Sequence, residues 1–135
     1  MERLALALLP FAFAACATVP VASASPTVGI GQVASVDGLY IRPLAVLEDS
    51  RCPATVQCVW AGQVRIRTIV TPPCPGGRSS PNAPATAVAR EIDLTLGLPV
   101  TAFGRTISLS AVAPVKSAPG TTDPGAYRFT FATVR

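Results

Sequence analysis

The sequence predicts an all-β fold after an N-terminal export signal: an antiparallel β-sandwich or partly open barrel of about six strands. Three observations carry that expectation. From residue 27 onward no 3.6-residue periodicity is sustained, whereas period-two alternation recurs between glycine, proline and asparagine punctuation. The chain has 135 residues, 50% of them hydrophobic and only 13% charged, which suits one folded domain and argues against disorder. Finally, 14 prolines and 10 glycines break the chain into short segments.

Residues 1–24 read as an export signal. Met1-Glu2-Arg3 gives a short, weakly positive start, and 4-LALALLPFAFAA-15 is an apolar run too short to span a membrane and interrupted by Pro10. Two processing routes stand open, beside an uncleaved anchor. Ala14 and Ala15 before Cys16 look like a lipobox whose cysteine is lipidated, although Phe13 stands where leucine is usual. Ala22-Ser23-Ala24 is an A-x-A site for ordinary cleavage before Ser25, with Pro20 breaking the apolar run upstream. Either route places the domain of residues 25–135 outside the cytoplasm, as an outer-membrane lipoprotein or a periplasmic or secreted protein. Disulfides persist there.

Within that domain Val28 to Val36 reads as a weak first strand, Asp37-Gly38 as a hairpin turn and Leu39 to Leu47 as a stronger strand. Ala61 to Val70 follows, then a proline-rich loop over 71–87 and a strand from Val88 to Leu96. Arg105 to Val112 and Ala126 to Val134 complete the set, joined by a loop over 113–125. Pairing the strands that flank the proline-rich loop sets Arg65 against Asp93, Arg67 against Glu91, Ile66 against Ile92 and Val64 against Leu94. The basic run 65-RIR-67 then becomes a neutralised outer face that adds little stability, and not an anion site. In the last strand Tyr127, Phe129 and Phe131 share one face, which is expected to be core.

The stretch 49-DSRCPATVQCVWAG-62 is the most distinctive in the chain. A metal site fails on ligand count: zinc wants four ligands, and the domain has no histidine and only Cys52, Cys58 and Cys74 as thiols. Copper(I) favours thioethers, and the one methionine is the initiator. Redox catalysis wants C-x-x-C at a helix start; here five residues intervene in a loop-and-strand setting. The structural reading is a Cys52–Cys58 disulfide, worth about 2.4 kcal/mol on a chain-entropy model, with Pro53 restricting the loop. Trp60 is expected to cover the bridge or plug one end of the core, and Gly62 to relieve crowding where the next strand begins. Asp49 and Ser50 are expected to hydrogen-bond nearby backbone amides. Cys74 stays open: an exposed thiol that links chains, an unpaired thiol, or a partner of Cys52 or Cys58.

The pattern D-S-R-C-P-x-x-V-x-C-x-W-x-G at Asp49 to Gly62, Arg51 included, resembles a group of small uncharacterised bacterial secreted proteins and lipoproteins. The likeness extends to 105-RTISLSAVAP-114 and to a closing strand at Tyr127. It implies an exported β-domain and carries over no catalytic residues.

Enzymatic readings fare badly. Without histidine no Ser-His-Asp or Cys-His arrangement can form, and the usual general base is missing. Glu48 and Asp49 are adjacent, so on a strand they point oppositely and form a dyad only if the chain bends sharply. The net charge of +4 is scattered, with no run resembling a nucleic-acid footprint. No catalytic residue, cofactor or metal is therefore assigned. The expected function is a non-catalytic envelope module that binds a protein or cell-envelope component through its loops, touching membrane only through a lipid at Cys16. The alternative is a protease-inhibitor-like protein that inserts the loop 52-CPATVQC-58 into a protease cleft.

Overall fold

The computed structural model describes residues 26–73 and 89–134, so the segment expected to be an export signal, Cys16, Cys74 and most of the proline-rich loop lie outside the described residues. Among the described residues there are eight strands: β1 (Thr27–Val28), β2 (Ala34–Val36), β3 (Leu39–Asp49), β4 (Val64–Thr71), β5 (Arg90–Thr95), β6 (Val100–Ala102), β7 (Arg105–Ala113) and β8 (Arg128–Val134). They form two four-stranded antiparallel sheets, ordered β2-β3-β4-β5 and β1-β8-β7-β6. The sheets face each other as an open sandwich, linked on one side by a single bridge between Leu96 and Leu109.

Alternation decides which side chains go between the sheets. Val64, Ile66, Thr68 and Val70 of β4 are buried, as are Leu39 and Ile41 of β3. Ile107, Leu109, Phe129 and Phe131 meet them from the other sheet, so the aromatic face of the last strand is core as expected. Tyr127 stacks on Phe129 with ring centroids 5.6 Å apart. Among the described residues Thr68 is the buried polar exception, and it is satisfied: its hydroxyl donates to the Ile92 carbonyl at 2.8 Å.

Four expectations need correction. The first strand is not continuous: it breaks over Gly29–Val33, and its halves join different sheets. Gly31 at φ 81° turns the chain, and its amide donates to the Pro43 carbonyl at 2.8 Å. Strand β6 is an addition; it forms a hairpin with β7 through Phe103 and Gly104, at φ 51° and 73°. Asp37 and Gly38 make the same positive-φ turn at 49° and 78°, but a phenylalanine in that position gives no turn signal. Strand β4 begins at Val64, not Ala61, because residues 61–63 belong to the loop closure.

The β4–β5 register is also shifted by two residues. Arg65 opposes Thr95, Arg67 opposes Asp93 and Ile66 opposes Leu94. A slide of two preserves which face each residue takes, so the hydrophobic pattern does not discriminate between the registers, and the long connection over 72–89 gives no short-loop constraint in the sequence. Charge pairing survives at Arg67, whose Nε lies 3.1 Å from both Glu91 and Asp93. Arg65 instead sits opposite Glu48 on β3.

Candidate functional site

The motif residues lie at the tip of the β3–β4 hairpin. Beyond Asp49 the two chains stay paired: Ser50 N donates to Gln63 O at 2.9 Å, and Cys52 N to Ala61 O at 3.1 Å. Gly62 sits inside this closure at φ 70°, where any Cβ would collide with the Ser50 carbonyl. Its predicted role in relieving crowding is met there, with a specific obstacle. The Ser50 hydroxyl accepts from Gln63 N at 3.0 Å and donates to Glu48 Oε1 at 3.0 Å; Gln63 Nε2 holds the other Glu48 oxygen at 2.8 Å.

Asp49 and Arg51 are two apart on extended backbone and so share a face. Arg51 grips Asp49 with two parallel bonds, Nε to Oδ1 at 2.8 Å and Nη2 to Oδ2 at 2.7 Å. The pair is nearly enclosed, its side chains 15% and 8% exposed for arginine and aspartate. Each partner then reaches the other sheet. Tyr127 donates its hydroxyl to Asp49 Oδ2 at 2.7 Å, and Arg51 Nη1 donates to the carbonyls of Val112 at 3.2 Å and Pro114 at 3.0 Å. Lys116 adds a bond from Nζ to the Asp49 carbonyl at 3.0 Å, while its own carbonyl accepts from Ala54 N at 2.9 Å. The motif is thus a clip that ties the end of β3 to the end of β7 and the start of β8.

The electrostatics agree with that role. Hydrogen bonds from Arg51 hold the Asp49 carboxyl down to about 2, against the opposing effect of burial, with Tyr127 assisting. Arg51 is pushed up, chiefly by its bonds to Asp49. Burial, then the bond to Asp49, raises Tyr127 and keeps its phenol neutral. Glu48 is lowered by Gln63 and Ser50. Both adjacent carboxyls are therefore held as anions by separate partners, and neither is poised near neutrality as a general acid or base. Among the described residues no cluster of three or more His, Cys, Asp or Glu is arranged to hold a metal ion.

Cys52 and Cys58 are bonded as a disulfide, with their Cα atoms 5.9 Å apart. Inside it the chain turns, Val56 N donating to Pro53 O at 3.1 Å. Of the two roles expected of Trp60, plugging the core is not met: it is 78% exposed, and Val59 beside it is 95% exposed. Tyr127 belongs to the core instead, with its hydroxyl on Asp49. The sequence reading missed Tyr127, Lys116 and Gln63 as members of the site; a tyrosine destined for burial was the one legible signal, because its hydroxyl needs a partner.

Fold and clip together define an all-β sandwich with a disulfide-stapled hairpin tip. No protein-family model, curated protein or solved structure matches this chain.

Replacing both Cys52 and Cys58 by serine is expected to lower unfolding free energy by about 2 kcal/mol. The melting temperature should fall by roughly 10 °C. Circular dichroism melts of parent and variant measure this, and alkylation of the unreduced parent should leave both thiols unlabelled.

Proposed function

We propose that this protein is a non-catalytic binding module of the bacterial cell envelope, exported by its N-terminal signal and either lipidated at Cys16 or released after Ala24. Its contact element is the hairpin tip. The observation that carries the reading is the exposure of Val59 and Trp60 at the end of a loop closed by a disulfide and backed by the clip. Val56 and Val115 are exposed as well, so the tip region presents several apolar side chains to solvent. Trp is the residue type most enriched where binding energy concentrates. A stapled loop also loses little conformational freedom on binding, which favours affinity.

The protease-inhibitor alternative has the turn at Pro53–Val56 against it, since a segment laid into a cleft as a substrate would be extended. A photo-crosslinking amino acid placed at position 59 in cells tests the leading reading. A discrete adduct that disappears when Trp60→Ala is added supports it. No adduct, or one unchanged by Trp60→Ala, contradicts it. Because Trp60 is exposed, that substitution should leave stability within about 0.5 kcal/mol of the parent.

A further inference from the structure

A second surface lies on the other side of the hairpin. Strand β2 pairs with β3 only over Leu39–Ile41, and Gly31 extends that contact to the Pro43 carbonyl. Among the described residues no strand flanks β3 beyond that point on the side away from β4. Lys116 caps the far end at the Asp49 carbonyl. This leaves Leu44–Glu48 as a strand edge of five residues, about 17 Å long at strand rise.

The side chains along this edge are unusual for a protected one. The pairing of β3 with β4 skips two positions, Leu44 and Leu47, and both leucines are exposed. Lysine, proline and inward-pointing charges, which commonly blunt exposed edges, are absent from 44-LAVL-47; the irregularities this edge carries are the register shifts at Pro43/Ala45 and Val46/Glu48. The edge forms one wall of a groove of about 820 Å³ that runs to the loop at 120–124. Ile30, Leu44 and Leu47 give it apolar lining; Glu48 and Asp123 give it acidic lining. Asp49 also borders it but is neutralised by Arg51. Arg65, opposite Glu48 in the ladder, and Lys116 lie nearby without lining the groove.

We propose that this groove accepts an extended segment of a partner polypeptide, added to the Leu44–Glu48 edge by main-chain hydrogen bonds, with apolar side chains against Leu44 and Leu47 and a lysine or arginine toward Glu48 and Asp123. An open backbone edge selects an extended chain, and the Glu48 and Asp123 carboxylates that line the groove select the basic residue. A second copy of this protein fits less well. Antiparallel pairing of two such edges over Leu44–Glu48 sets Glu48 against Leu44 and supplies no cation from within the edge.

Panning a library of linear heptapeptides against the purified, disulfide-bonded domain tests this, followed by fluorescence anisotropy on a selected synthetic peptide. The expected result is a family of peptides with alternating apolar residues and a lysine or arginine. Glu48→Gln combined with Asp123→Asn should weaken binding at least tenfold and flatten its salt dependence. Leu44→Ser and Leu47→Ser should weaken it comparably, while Leu98→Ser, at an exposed leucine outside the groove, should not. With the unaltered protein, N-methylating alternate residues of the peptide should abolish binding. The proposal is overturned if no peptide is selected, if the N-methylated peptide binds equally well, or if the charge variants bind as the parent does. Concentration-dependent dimerisation that buries residue 44, read by disulfide trapping of Leu44→Cys between copies, would assign the edge to self-association and overturn it too.

Discussion

Gly62→Ala is expected to destabilise the domain by about 3–4 kcal/mol, of which about 1–2 reflects the left-handed backbone and the rest the displaced hairpin closure. Gly62 sits at φ 70°, and the methyl group would occupy the position of the Ser50 carbonyl. Relief requires the chain at residues 50 and 62 to separate, which breaks the 2.9 Å bond from Ser50 N to Gln63 O and disturbs the hydroxyl that holds Glu48. Gly97→Ala is the control. It has a similar φ of 80° but nothing within 4 Å of the added carbon, so it should show the backbone cost alone. Urea denaturation of the two variants measures the difference. Equal losses would mean that the close approach at Ser50 is not felt.

Asp49→Ala is the second large effect, expected at about 3 kcal/mol at pH 7. Removing the carboxylate leaves an enclosed guanidinium with only the Val112 and Pro114 carbonyls and leaves the Tyr127 hydroxyl without its acceptor. Arg51→Ala should cost a similar amount, whereas Tyr127→Phe should cost about 1 kcal/mol. The pH dependence follows from the depressed carboxyl. The folded state holds Asp49 ionised down to about 2, against an ordinary value of 3.8, so between those values the unfolded chain binds more protons and acid favours unfolding. The ionisation-linked stabilisation, about 2 kcal/mol, is complete above roughly pH 4 to 5 and fades as pH falls through 2. Equilibrium denaturation of parent and Asp49→Ala across pH 2–7 should therefore show curves that converge in acid.

Much of the fold was legible because strands with one buried face announce themselves by alternation. Tyr127, Phe129 and Phe131 were placed correctly on that basis, and so were the segments now seen as β3, β4, β5, β7 and β8, to within a few residues. What alternation does not encode is the choice between registers two residues apart, and Arg67 and Asp93 became partners through that degeneracy. Short elements were lost for a related reason: β6 offers only Val100-Thr101-Ala102, and its turn begins with Phe103. At the site, the spacing of Cys52 and Cys58 and the need for glycine at 62 were readable from local chemistry. The core-plug alternative for Trp60 failed because Tyr127, Phe129 and Phe131 already supply the bulky aromatic core that a small domain requires. The clip was not readable, since Asp49, Arg51, Lys116 and Tyr127 come together only when the ends of two sheets meet.

A double-mutant cycle on Asp49→Ala and Tyr127→Phe tests most directly whether the motif joins the sheets, because Asp49 ends β3 in one sheet, Tyr127 immediately precedes β8 in the other, and a hydrogen bond of 2.7 Å joins them. The account predicts a coupling energy of about 1–2 kcal/mol in unfolding free energy at pH 7. Additivity to within about 0.3 kcal/mol would contradict it.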